Sequence, residues 1–206
     1  MKQMQNRVDP FGQIIDTKAR GKWMGNRGRI HNEKKEIICP YKLQAWLTCQ
    51  LSFKGRKRQI MAANSYTELF FLDEATAFAA GHRPCFECRR GDFNRFKKLW
   101  IEANPQYKFS EKTSIREIDK ILHGERINAD GTKKIYREHL NNLPDGTFIS
   151  LEERPYLLFK KHLYGWTPYG YEKQNEITIN GKVNVLTPLS IVNTFHAGYV
   201  PELHLV

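Results

Sequence analysis

The 206-residue sequence contains no apolar run approaching the roughly 20 residues that a membrane-spanning helix requires, so no membrane partner is expected. Its first twenty residues are polar and lack the apolar stretch of a secretory signal, which points to a cytoplasmic setting. Cysteine is scarce. The four present, Cys39, Cys49, Cys85 and Cys88, are too few and too unevenly spaced for a disulfide framework. Internal repeats and low-complexity tracts are absent, and acidic residues are rare in the first third of the chain.

That last shortage shapes the charge. The net charge is +11, and residues 1 to 60 carry fourteen Lys and Arg against four Asp and Glu. The rest of the chain is close to neutral. Concentrated positive charge attracts phosphate and gains counterion-release entropy on binding it. Here the basic residues run through segments that read as strands, which favours a nucleic-acid surface over a solubilising tail. Hydrophobic residues at 40% and charged residues at 27% describe an ordinary globular chain.

Periodicity predicts an α+β fold of short antiparallel strands and hairpins with three to four helices. Residues 1 to 24 read as a flexible basic arm, 25 to 104 as a compact module, and 105 to 206 as a C-terminal α+β part packed on it. Ala45 to Phe53 alternates as one long half-buried strand, Lys54 to Arg58 reads as a basic hairpin loop, and Gln59 to Ala63 as the return strand. Leu69 to Phe71 reads as a short strand. Asp73 caps a helix that Gly81 ends, and Phe93, Phe96 and Trp100 mark the buried stripe of a second helix. Ser114 and Glu117 form a capping-box pattern for a third helix. Residues 128 to 154 read as a polar connection around a short helix, with a turn at Pro144 to Gly146. Pro155 to Leu163 fits strand or helix. Glu176 to Leu186 reads as a hairpin about Asn180-Gly181, and Thr187 and Pro188 open a last helix that Gly198 ends.

Cys85 and Cys88 form a Cys-x2-Cys pair, a spacing that turns two thiolates towards one metal ion. The flanking residues sharpen the signal. Phe70-Phe71, an Ala-rich segment to Ala80-Gly81, then His82-Arg83-Pro84-Cys85 and Cys88 resemble the closing half of an Ada-type metal-binding domain, without gaps over about 20 residues. The resemblance implies Zn²⁺, four ligands and DNA as partner. Cys85 and Cys88 match directly. The family's upstream Cys-x3-Cys, which holds its methyl-accepting thiolate, has no counterpart here. His31 and Cys49 are therefore expected as the remaining ligands, with Cys39 as substitute, and the zinc is expected to be structural. A buried core thiol is the alternative for Cys49.

The nucleic-acid surface is expected from Arg27, Arg29, Lys54, Arg56, Lys57, Arg58, Arg83, Arg89 and Arg90, all within or beside this module. Arginine suits phosphate because its planar fork binds two oxygens. Tyr41, Trp46 and Tyr66 could stack on bases, although core packing is preferred for Trp46. On the third helix Asp119 and His123 share a stripe with Arg126, and Glu125 is adjacent. Such a set could act as acid and base on a phosphodiester or glycosidic bond, and a solvated helix face is the plainer alternative. Three functions follow as expectations: a zinc-stabilised DNA-binding protein of repair, modification or defence; a DNA-processing hydrolase, nuclease or base-excising glycosylase, using Asp119, His123 and Glu125; or a non-catalytic interaction protein.

Overall fold

The structure, a computed structural model, describes residues 4–56, 59–174 and 181–205. The first half of the chain builds one six-stranded mixed sheet from β1 (Gln5–Val8), β2 (Ile14–Asp16), β3 (Trp23–Asn26), β4 (Leu47–Cys49), β5 (Leu69–Phe71) and β6 (Arg83–Pro84), in the order β2-β1-β5-β3-β4-β6. The second half builds an antiparallel sheet from β7 (Tyr136–His139), β8 (Phe148–Leu151), β9 (Arg154–Phe159), β10 (His162–Thr167), β11 (Gly170–Lys173) and β12 (Lys182–Val185), in the order β11-β10-β9-β8-β12-β7. The helices are α1 (Glu74–Ala79), α2 (Arg90–Ala103), α3 (Ile115–Arg126) and α4 (Leu189–His196). The α+β class is as expected.

Helix α1 lies where three cores meet. Asp73 caps it by accepting from the backbone N–H and hydroxyl of Thr76, at 2.8 and 2.7 Å. Gly81, with φ +84, ends it, and any Cβ there would lie 2.4 Å from the Arg126 side chain. Ala77 and the following Ala80 pack with Val8, Ile30, Leu69 and Phe71 of the first sheet. Ala75 and Ala79 pack with Phe148, Leu157 and Leu186 of the second. Phe78 joins Phe96 and Trp100 of α2, Ile118 and Leu122 of α3, and Ile191 and Phe195 of α4. Alanine is what a helix needs when backbone approaches it from two sides.

Several expectations are corrected. The N-terminal segment is not an arm without structure: it supplies β1 and β2, and β1 pairs in parallel with β5 at Arg7 and Phe70. Val8 is the buried apolar residue of β1 and Ile14 of β2 is half-buried, a pattern too sparse to announce two strands. The long strand from Ala45 to Phe53 shrinks to Leu47–Cys49, and Leu51 is exposed. Residues 59 to 63 form turns rather than a return strand, because Lys54, Met61 and Asn64 all hold positive φ, which breaks extended pairing.

The supposed connection at 128 to 154 contains β7 and β8. Phe148, Ile149 and Ser150 are all buried, so β8 never alternates. Pro155 to Leu163 is strand, split between β9 and β10. Two-residue loops join β8 to β9 through Glu152-Glu153 and β9 to β10 through Lys160-Lys161, with positive φ at all four residues. Neither loop carries the Asn-Gly signature of its turn type. The expected Asn180-Gly181 hairpin begins outside the described residues, but its second arm is β12. Thr187 does not cap α4; its hydroxyl accepts from the Phe148 N–H at 2.9 Å.

Candidate metal centre

The parallel pairing of β4 with β6 creates the site. It aligns Leu47 with Arg83 and Thr48 with Pro84, and the Cys85 N–H continues the ladder to the Thr48 carbonyl at 2.9 Å. Cys49, the last residue of β4, therefore lies beside Cys85. The turn after Cys85 returns Cys88 to the same point at the mouth of α2. The three sulfurs lie within 4.8 Å of one another.

The surroundings favour thiolate. The Cys85 thiol is pushed down to about 5, first by a hydrogen bond from Cys49 and then by the backbone N–H groups of Cys88 and Glu87, against the opposing effect of burial. The Glu87 N–H lies 3.4 Å from its sulfur. Cys88 is also lowered, by Cys49 first and by the Gln50 N–H, again against burial. Cys49 is raised because it shares its proton with both neighbours. Three converging thiols, two of them biased towards the anion, can hold a metal ion, and a thiolate set selects a soft or borderline one.

The upstream ligands part company. Cys49 joins the cluster. His31 does not: its Nδ1 lies 2.6 Å from the Thr67 hydroxyl and its Nε2 3.3 Å from the Ala62 carbonyl, so the ring is a buried loop tie. Cys39, the substitute, packs beside Ile37 against the core of the first sheet. Among the described residues no fourth Cys, His, Asp or Glu joins the group. Beside the sulfurs a cavity of about 230 Å³ is lined by Asn26, Gln50, Phe53 and Tyr66.

The basic residues divide by burial. Arg27, Arg83 and Arg89 are almost wholly buried and belong to the fold. Arg83 makes a two-pronged pair with Asp119 at 2.7 Å on each oxygen. Arg89 bridges Glu74 at 2.5 Å and Asp92 at 2.9 Å and lies over the Trp23 ring. Their burial leaves these three outside the exposed basic surface. Arg29, Lys54, Arg56 and Arg90 are exposed. Arg56 pairs with Glu87 at 2.5 Å and Arg90 stacks on Phe86, so both flank the Cys85–Cys88 turn. Arg29 bonds Asn64 at 2.9 Å. Lys57 and Arg58 lie outside the described residues. Trp46 is core, as preferred, while Tyr41 and Tyr66 are half-buried.

The acid–base set on α3 is dispersed. Asp119 is committed to Arg83. Glu125 accepts from the Ser190 hydroxyl at 2.6 Å and the Ser190 N–H at 3.1 Å, at the start of α4. His123 contacts Arg126 at 2.9 Å and meets Tyr41 edge-on; burial first, then Arg126, lowers its pKa. The stripe also faces inward, since Asp119 and Arg126 are buried.

Sequence reasoning missed a second cluster. Arg27, His82, Arg126 and Lys133 converge near Trp46, and both guanidinium carbons lie 3.9 Å from its ring centroid. Four separate segments supply these groups, so no local motif marks them. Compared with known proteins, the chain matches no protein family, no curated protein and no solved structure, and the three-cysteine centre stands on its own geometry.

Proposed function

We propose that this chain is a zinc-stabilised nucleic-acid-binding protein whose binding face surrounds the Cys85–Cys88 turn. The observation that carries the reading is the convergence of Cys49, Cys85 and Cys88 at a turn whose Phe86 and Glu87 contact the exposed Arg90 and Arg56. Zinc suits three thiolates because it is borderline-soft, accepts tetrahedral geometry at about 2.3 Å from sulfur and has no redox chemistry. Bound there, it would tie the end of β4 to the start of α2 and hold the basic turn rigid. The resemblance of the Phe70–Cys88 region to Ada-type modules favours DNA and a role in repair, modification or defence. Methyl transfer is not carried over, because the Cys-x3-Cys half is missing. The hydrolase reading on α3 gains no support, since Asp119 and Glu125 already serve as structural acceptors.

Two measurements test this. Metal analysis of the purified protein is expected to give about one equivalent of zinc, lost in Cys85→Ser or Cys88→Ser. Binding to short duplex and single-stranded DNA is expected to weaken steeply with salt. Arg56→Gln with Arg90→Gln should reduce affinity about tenfold and the salt slope by about two. Salt-insensitive binding, or none, rejects the reading.

A further inference from the structure

We propose that the cavity between the β1–β2 turn, the end of β3 and the C-terminal end of α3 is an anion site that takes a phosphate monoester on a small organic molecule. It lies at the opposite end of the β3–β4 pair from the cysteines, and it stands independently of the nucleic-acid reading.

The cavity measures about 590 Å³, and Gly12, Arg27, Trp46, Arg126, Thr132 and Lys133 line it. Arg27 is 2% exposed. Its Nη1 donates to the Gly12 carbonyl at 2.9 Å and its Nε lies 3.3 Å from His82 Nε2, but among the described residues its buried Nη2 has no hydrogen-bond partner. Arg126 is equally buried. It donates to the carbonyls of Gly81 and Gln44 at 2.8 and 2.6 Å, and among the described residues its Nε has no partner. His82 Nδ1 also has none. Lys133 reaches in from the loop after α3 and donates to the Ala79 carbonyl. Buried donors without acceptors are costly, and buried charges more so, which makes an acceptor-rich anion the natural complement.

The charge count agrees. Arg27, Arg126 and Lys133 face one nearby carboxylate, Asp9; Asp119 also acts on Arg126 but is chelated by Arg83. With Lys133 protonated and Asp9 ionised, two positive charges remain in excess, and a phosphate monoester brings nearly two negative charges at neutral pH. Burial, followed by the charges of Arg27 and Arg126, pushes Lys133 down to about 7. Burial pushes Arg27 down to about 9. These are cations crowded without sufficient counter-charge.

Shape supplies the rest. A Cβ at Gly12 would come into van der Waals contact with Arg27 Nη2 at 3.6 Å and the Ala80 carbonyl at 3.7 Å, so the backbone of this cavity wall lies close against the arginine. The planar fork of arginine is the preferred geometry for phosphate. The volume exceeds what a bare anion fills, and Phe11, Ile14, Ile37 and Pro40 give the cavity an apolar wall for an organic body.

Isothermal titration of the full chain tests the site with inorganic phosphate, a nucleoside 5′-monophosphate, a hexose phosphate and the unphosphorylated nucleoside. At least one organic monophosphate is expected to bind more tightly than inorganic phosphate, and the nucleoside not at all. Lys133→Met should weaken binding by about tenfold or more, as loss of a charge-assisted hydrogen bond does. Asp9→Asn removes the competing carboxylate and should tighten binding several-fold, a gain that a misfolded variant cannot produce. A 5′-phosphorylated oligonucleotide that competes as well as the free monophosphate would assign the phosphate to a strand end; failure to compete would assign it to a free metabolite. Absence of binding by every phosphorylated probe overturns the proposal. So does binding that neither Lys133→Met nor Asp9→Asn alters.

Discussion

At the residue scale, the same side-chain type takes opposite roles a few positions apart. Arg89 is sealed against Glu74 and Asp92, while Arg90 lies on the surface over Phe86. Spacing made the Cys85/Cys88 pair legible in the sequence, because two thiolates three residues apart have few other uses. Cys49 was legible as a ligand only through the resemblance. What decides it is the parallel β4–β6 ladder, a long-range pairing that no local pattern encodes. His31 is a metal-ligand residue type within a basic segment, yet Thr67 and Ala62 hold both ring nitrogens. His31→Gln is accordingly expected to leave whatever metal content the wild type has unchanged and to lose about 1–2 kcal/mol of stability from the broken buried hydrogen bond. Metal analysis beside urea denaturation checks both halves. A fall in bound zinc with an intact fold would place His31 in the metal site after all.

At the element scale, the helices were readable and many strands were not. Helices α2 and α3 announce themselves by Phe93, Phe96 and Trp100, and by Ser114 with Ile118 and Leu122, because an amphipathic stripe is a local signal. Strands β1, β7 and β8 hide for separate reasons: β1 is polar, β7 carries charged outward residues, and β8 is buried on both faces. The hairpins hide because their turns are built from Glu152-Glu153 and Lys160-Lys161. Left-handed conformation costs a non-glycine residue about 1 kcal/mol or more, so these turns are held by the strands they join. Lys160→Asn with Lys161→Gly should therefore raise stability by about 1 kcal/mol. Thermal and chemical denaturation measure the gain; a loss of similar size would show that the lysine side chains carry interactions the turn depends on.

At the scale of the whole molecule, an uneven charge budget is partly internalised. The basic excess of the first third does not all face solvent, since Arg27 meets Arg126 and Lys133 from the second half at one buried cluster. This has a pH signature. Burial first, then the charges of Arg27 and Arg126, lowers Lys133 from an ordinary 10.5 to about 7 against the opposing charge of Asp9, with His82 nearby. Between those two values the unfolded chain binds a proton that the folded chain does not. The contribution of Lys133 is thus present at pH above 10.5 and is lost as pH falls through 7. Lys133→Met is expected to stabilise the protein most at about pH 6, with the gain shrinking through about pH 8 and nearly gone at about pH 10. Denaturant titrations without added phosphate at those three values decide it; a gain that grows with pH contradicts the assignment. No helix among the described residues is long and apolar enough to cross a membrane.

The position of α1 also sets how this protein can acquire its shape. Its three faces belong to cores assembled from segments far apart in the chain, from Val8 to Phe195, and its N-terminal carboxylates receive backbone N–H groups from Glu202 and His204. Its flanking strand β5 pairs with β1 across the long span from Phe70 back to Arg7. Contacts of such separation require loop-closure entropy to be spent before they return anything. A six-residue helix has little stability of its own, so it becomes ordered only when both ends of the chain have arrived around it. Refolding should be slow for a chain of this length, and pulsed hydrogen exchange is expected to find the amides of α1 among the last to be protected.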